Sequence, residues 1–304
     1  FLQDILTEVM ELFPSEYIHI GGDEANKKQW KVCPLCQARI KEEGLKDEED
    51  LQGYFTKRIE DFLIAHGRKM IGWDEIMQGG ISDNAAVMSW RGFDSGMKAA
   101  QTGHKVVMCP TSYCYFDYYQ GDQADEPAGI GGYVPLKKVY SFDPVPHGLS
   151  AKDARNIMGA QANLWTEFVP AFSHAEYMVL PRMNALAEVL WSPKKARNWD
   201  SFYDRISIMK KRFDVMGVKY GKGSSKIDIA TTVSKNKKYV TVSLSGEQPT
   251  GVIRFTKDGT APTVTSEKFT GSFRVKPGTV IKTAYFRADT LSGTIYEKEA
   301  KAGR

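Results

Sequence analysis

The feature that most constrains this chain is a rhythm of short apolar runs alternating with helically spaced segments, in which each run leads into a polar or aromatic cluster. Tyr17-Ile18-His19-Ile20 enters Gly21-Gly22 and then Asp23-Glu24, and Met70-Ile71-Gly72-Trp73 meets Asp74-Glu75. Val87-Met88-Ser89-Trp90 meets Arg91, Val106-Val107-Met108 precedes Tyr115-Phe116-Asp117, and the run from Met158 to Trp165 meets Thr166-Glu167. Between the first two runs, Leu51, Tyr54, Phe55, Ile59, Phe62 and Leu63 recur at helical spacing and Gly67 supplies a stop. An opening helix carries Leu2, Ile5, Leu6, Val9 and Met10 and ends before Pro14, and further helices are expected near 93–102, 134–140 and 172–191. Alternating strands and helices imply an α/β fold with a parallel sheet, whose ligand groups gather where the strands end at their carboxyl edge. Five strand ends are therefore expected to converge on one face.

The character changes after Tyr220. Gly221-Lys222-Gly223-Ser224-Ser225 has the composition of a linker, and alternating β-branched stretches such as Tyr239-Val240-Thr241-Val242-Ser243-Leu244 follow. The expected division is 1–220 for the α/β part and 221–304 for a linker and a small all-β sandwich. The sandwich segment gathers no aromatic, acidic or histidine cluster, so its expected role is structural packing, with glycan binding as the lesser alternative.

Several function classes drop out. A net charge of +4 with dispersed basic residues gives no support for nucleic-acid binding. No apolar run approaches the roughly 20 residues that span a bilayer. Four cysteines in two close pairs, Cys33 with Cys36 and Cys109 with Cys114, are too few for a disulfide scaffold. The first pair has no partner at zinc-finger spacing, which leaves a local disulfide or two plain thiols and no expected metal.

Candidate residues follow from position. Adjacent strand residues point to opposite faces, so Asp23 and Glu24 can serve one site only if the backbone leaves strand geometry there, which the preceding glycines permit. Trp73, Trp90 and Trp165 each close a strand, which sets them apart from Trp30, Trp191 and Trp199, which read as packing. His19, inside an apolar strand, is read as a hydrogen-bonded core residue without chemistry, and Asp74 and Glu75 as groups that orient their neighbours.

His19-Ile20-Gly21-Gly22-Asp23-Glu24 is similar to the His-x-Gly-Gly-Asp-Glu signature of glycoside hydrolase family 20, the β-N-acetylhexosaminidases. Gly72-Trp73-Asp74-Glu75, Ser89-Trp90-Arg91-Gly92, Tyr115-Phe116-Asp117 and Leu164-Trp165-Thr166-Glu167 follow in the order that this family's barrel presents. The segment from Ile253 to Thr263 resembles the small β-sandwich module appended to chitobiases and hexosaminidases. The resemblance implies strands four to eight of a (β/α)8 barrel, with the first three strands supplied by a missing N-terminal part of the same protein. It implies retaining removal of terminal β-linked N-acetylglucosamine or N-acetylgalactosamine from a glycan, without a cofactor, through an oxazolinium formed by the substrate's own 2-acetamido group. Under it Glu24 is the general acid and base, Asp23 holds the acetamido N–H, and Tyr115 steadies the acetamido oxygen. Trp73, Trp90 and Trp165 wall the sugar, and Asp117 and Glu167 bind its outer hydroxyls. Secretion or a periplasmic location is expected from polymeric substrates. The competing readings are a noncatalytic glycan-binding protein or inactive fragment that keeps the sugar pocket, and a redox or zinc protein built on Cys33 and Cys36.

Overall fold

The structure, a computed structural model, describes residues 1–301. The chain forms two compact units, Phe1–Tyr115 with Asp143–Ala162, and Phe116–Phe142 with the chain from Asn163 onward.

In the first unit the apolar runs become strands. β1 (Tyr17–His19), β2 (Lys69–Trp73), β3 (Ala86–Ser89), β4 (Lys105–Met108) and β5 (Ile157–Ala160) pair in sequence order, every pair parallel. β3 is buried at every position and β2 from Met70 onward, which is why these strands read as continuous apolar runs without alternation. α1 (Leu2–Leu12), α4 (Glu48–Ala65) and α5 (Asp94–Gln101) supply the helical layer, and Met10, Ile18, Ile59, Leu63, Met70 and Ile76 form one core cluster. α4 starts cleanly because the Asp47 side chain accepts from the Glu49 and Asp50 amides. Three short helices have no counterpart in the sequence reading: α2 (Lys28–Val32) and α3 (Pro34–Glu42), on the connection after Glu24, and α6 (Thr111–Cys114), before Tyr115.

The second unit opens with α7 (Leu136–Tyr140). The single helix expected over 172–191 is two, α8 (Phe172–Val179) and α9 (Arg182–Trp191), because Pro181 cannot continue the backbone ladder. α10 (Trp199–Met216) follows, capped by the Asn198 side chain on the Ser201 amide and stopped by Gly217 at φ 71°. It buries Phe202, Tyr203, Ile206, Lys210 and Phe213 on one face.

The glycine- and serine-rich stretch after Tyr220 is packed. Lys210 Nζ donates to Ser224 Oγ at 2.7 Å and Ser225 Oγ at 3.0 Å, the Tyr203 hydroxyl donates to the Ser224 carbonyl, and the Gly221 amide donates to the Leu180 carbonyl at 2.8 Å. Two antiparallel sheets then form the sandwich. One has the order β10 (Phe273–Val275), β7 (Val240–Gly246), β6 (Ile227–Val233), and the other β12 (Thr290–Ala300), β11 (Thr279–Arg287), β8 (Val252–Thr256), β9 (Glu267–Lys268). Ile229, Val242, Phe255 and Ile281 from both sheets share one buried cluster.

The parallel sheet is open. β1 and β5 each pair on one side only among the described residues, and α1 leaves Ile5 and Leu12 exposed, with Phe13 just beyond it. Unpaired edges and bare apolar surface drive association. These 304 residues produced alone should therefore run as large oligomers or precipitate in size-exclusion chromatography with light scattering; a monodisperse, fully active monomer would contradict this.

Candidate active site

The first unit builds its strand-end cluster on a backbone corner. After β1 the Ile20 amide still donates to the Ile71 carbonyl at 3.0 Å, and then Gly21 and Gly22 take φ of 74° and 104° and Glu24 takes φ 50°. A non-glycine residue at positive φ is uncommon and persists where its surroundings fix it. Here the Trp73 amide donates to the Gly21 carbonyl at 3.0 Å and Gln52 Nε2 to the Gly22 carbonyl at 2.9 Å. A Cβ on Gly22 would lie 2.6 Å from Ile76 Cγ2, so no larger residue fits. Asp23 and Glu24 thus leave the strand alternation, as their pairing in one site requires. Both are exposed.

His19 differs from its expected place in the core. It is exposed, its Nδ1 accepts the Gly21 amide at 3.0 Å, and its ring meets the Trp73 ring edge-on at 4.9 Å. The amide bond puts the ring proton on Nε2 and makes the histidine a brace for the corner.

Trp90 is fixed by its neighbours. Glu75 Oε2 accepts the Trp90 indole N–H at 3.0 Å, and the Trp90 and Tyr115 rings stack with centroids 6.3 Å apart. Arg91 Nε donates to Asp74 Oδ1 at 2.5 Å and lies 3.7 Å from Glu75 Oε1. Burial raises the Glu75 pKa, opposed by the Trp90 hydrogen bond and the Arg91 charge. Asp74 and Glu75 therefore do orient their neighbours. A cavity of about 280 Å³ is lined by Gly22, Glu24, Ala25, Lys27, Gln52, Glu75, Gln78, Trp90 and Arg91. Of the predicted residues in this unit, Glu24 and Trp90 line it; Asp23, Trp73 and Tyr115 do not. Trp73 and Tyr115 are buried.

The second unit holds Asp117, Trp165 and Glu167. Asp117 is 3% exposed, and burial pushes its carboxyl up to about 6, with the Arg182 charge pulling it down and Glu167 pushing it further up. Its Oδ1 is buried without a hydrogen-bond partner among the described residues. Trp165 and Glu167 lie on an exposed loop.

Sequence reasoning passed over Gln52 and Arg182. The signal for Arg182 was present: it sits four residues after Met178 and precedes Ala185, Leu186 and Val189 on one helical face, a charge in a core register. None of the cysteines forms a disulfide among the described residues; Cys33 and Cys36 are partly exposed, and Cys109 and Cys114 are buried. No group of His, Cys, Asp and Glu arranged to hold a metal occurs among the described residues. No helix among them is long and apolar enough to cross a membrane.

Residues 1–194 match the model of the glycosyl hydrolase family 20 catalytic domain. The chain belongs to glycosyl hydrolase family 20. Its family 20 segment is followed by residues 231–297, which match the chitobiase/β-hexosaminidase C-terminal domain. The chain is 43% identical over 277 residues to a β-hexosaminidase of Porphyromonas gingivalis, covering 89% of this chain and 35% of that protein. It is 36% identical over 191 residues to a β-hexosaminidase of Vibrio furnissii, covering 62% of this chain and 31% of that protein. A family 20 exo-β-N-acetylglucosaminidase from Vibrio harveyi, solved with N-acetylglucosamine, superposes with a TM-score of 0.66 at 32% identity, over 73% of this chain and 35% of that one. The chain thus spans about a third of the length of these relatives.

The Asp74–Arg91 pair gives a test. Arg91→Ala leaves a fully buried carboxylate uncompensated and should cost about 3 kcal/mol in denaturant unfolding of the full-length protein, whereas the Asp74→Asn/Arg91→Ala double variant should recover much of that loss. Additive losses would mean that the pair is not coupled.

Proposed function

We propose that these residues carry the catalytic machinery of a retaining β-N-acetylhexosaminidase that releases terminal β-linked N-acetylglucosamine or N-acetylgalactosamine. The observation that carries this reading is the left-handed corner from Gly21 to Glu24, which carries two adjacent carboxylates past a strand end, with Glu24 on the same cavity as the anchored Trp90 indole.

Cleavage needs a proton on the departing oxygen and a stabiliser for positive charge at the anomeric carbon. Glu24, at the cavity rim, is assigned the first task and returns as base when water attacks. The substrate's acetamido oxygen closes on the anomeric carbon, and Asp23 is assigned to the acetamido N–H, where its charge stabilises the oxazolinium. The Tyr115 hydroxyl is assigned to the acetamido oxygen, and Trp73 and Trp90 to walls that exclude water. Asp117 and Glu167 are assigned to sugar hydroxyls and Trp165 to the pyranose face. The unpaired Asp117 Oδ1 supports its part, because a buried acceptor without a partner suits a ligand hydroxyl. The rest of the barrel belongs to the remainder of the protein, consistent with the length of its relatives, and secretion or a periplasmic location suits glycans too large to be imported.

Leaving-group dependence separates the two carboxylates. In the full-length protein Glu24→Gln should lower kcat/KM by about 10²–10⁴ for alkyl and oligosaccharide leaving groups and far less for activated aryl glycosides. Asp23→Asn should depress both by about 10²–10³, since acetamido attack is common to them. Equal losses for Glu24→Gln across the series would remove it as the acid, and sugar binding without turnover by the unmodified protein would favour a noncatalytic glycan-binding role.

A further inference from the structure

Arg182 opens α9 and is completely buried. All its donors are used on backbone carbonyls. Nε donates to Met178 O at 3.1 Å, Nη1 to Tyr118 O at 3.0 Å and Val134 O at 2.9 Å, and Nη2 to Phe116 O and Met178 O, each at 2.5 Å. The guanidinium carbon lies 4.8 Å from the centre of the Phe116 ring. Its charge is offset by the Asp117 and Glu126 carboxylates, both within its electrostatic reach.

Two of these carbonyls belong to the residues on either side of Asp117. A single planar group therefore holds the carbonyls of the residues just before and just after Asp117, and ties both to α8 through Met178 and to the segment leading into α7 through Val134. We propose that Arg182 is a positioning residue for Asp117: it fixes the backbone of Phe116 to Tyr118 so that the unpaired Oδ1 is preset for a substrate hydroxyl. This rests on the reading of Asp117 as a hydroxyl-binding residue. A core arginine that served stability alone would have no reason to bracket the one residue of that segment with an unsatisfied buried acceptor.

Lysine cannot replace the clamp. Its ammonium is a single point with three donors, whereas the guanidinium presents five in a rigid fork that reaches both flanking carbonyls at once. Arg182→Lys keeps the charge and loses the geometry. The Asp117 carboxylate then samples several positions, and the cost falls on sugar binding.

The experiment is a double-mutant cycle in the full-length protein with an aryl N-acetyl-β-glucosaminide, reading KM and kcat separately for Arg182→Lys, Asp117→Ala and the double variant. Arg182→Lys should raise KM about tenfold with kcat little changed, and should add nothing once Asp117 is already alanine. A loss of active enzyme through poor folding lowers apparent kcat and leaves KM alone, so that pattern overturns the proposal. So does a KM effect that persists undiminished in the Asp117→Ala background, while a large Asp117→Ala effect in that same data leaves the hydroxyl-binding reading standing. If Asp117→Ala is silent by itself, that reading falls first. Should Arg182→Lys not fold, amide hydrogen exchange of the unmodified protein decides: residues 116–118 should be protected before any sugar is added and gain little with N-acetylglucosamine. Fast exchange there in the free protein would refute a preset segment.

Discussion

The site depends on one backbone corner. Past the end of β1 the chain abandons strand geometry through Gly21 and Gly22 and carries Glu24 in a left-handed conformation, which costs about 1–3 kcal/mol at a non-glycine residue. Two hydrogen bonds, from the Trp73 amide and from Gln52, hold the glycine carbonyls, and Ile76 fills the space a side chain at Gly22 would need. Without that corner Asp23 and Glu24 would alternate faces as strand residues do, and no single substrate could meet both.

Around the corner, buried polar groups rather than apolar packing set the angles of the functional side chains. Glu75 orients the Trp90 indole and Asp74 anchors Arg91. In the other unit Arg182 places every donor on a backbone carbonyl, two of them on the irregular stretch at Phe116 and Tyr118. Groups of this kind are expensive to bury and pay back in specificity of arrangement, since a misplaced partner leaves a charge or dipole unsatisfied.

Much of this was legible in the sequence, and the reasons for the remainder are physical. Parallel strands covered on both faces read as apolar runs, so Val87 and Met88 or Val106 and Val107 announce themselves. The Gly-Gly before Asp23 announced a departure from strand geometry. The division of 172–191 into α8 and α9 was hidden because the apolar pattern continues across Pro181, and α10 was overlooked although Asn198 and Gly217 mark both of its ends. The stretch after Tyr220 reads as a linker by composition, but its glycines serve close packing: a Cβ on Gly223 would lie 2.4 Å from the Gln120 carbonyl oxygen. Exposure of Asp23 and Glu24 and the unpaired oxygen of Asp117 are tertiary facts that no local pattern encodes.

The central claim is that the substrate's acetamido group, held by Asp23, does the work of a nucleophile while Glu24 moves the proton. Inhibition of the full-length protein by the thiazoline derived from N-acetylglucosamine, a stable mimic of the cyclic intermediate, tests that claim most directly. The account predicts competitive inhibition tighter than that by N-acetylglucosamine and weakened by Asp23→Asn. Absence of competitive inhibition, or a glycosyl ester trapped on Asp23 or Glu24 during turnover, would contradict it.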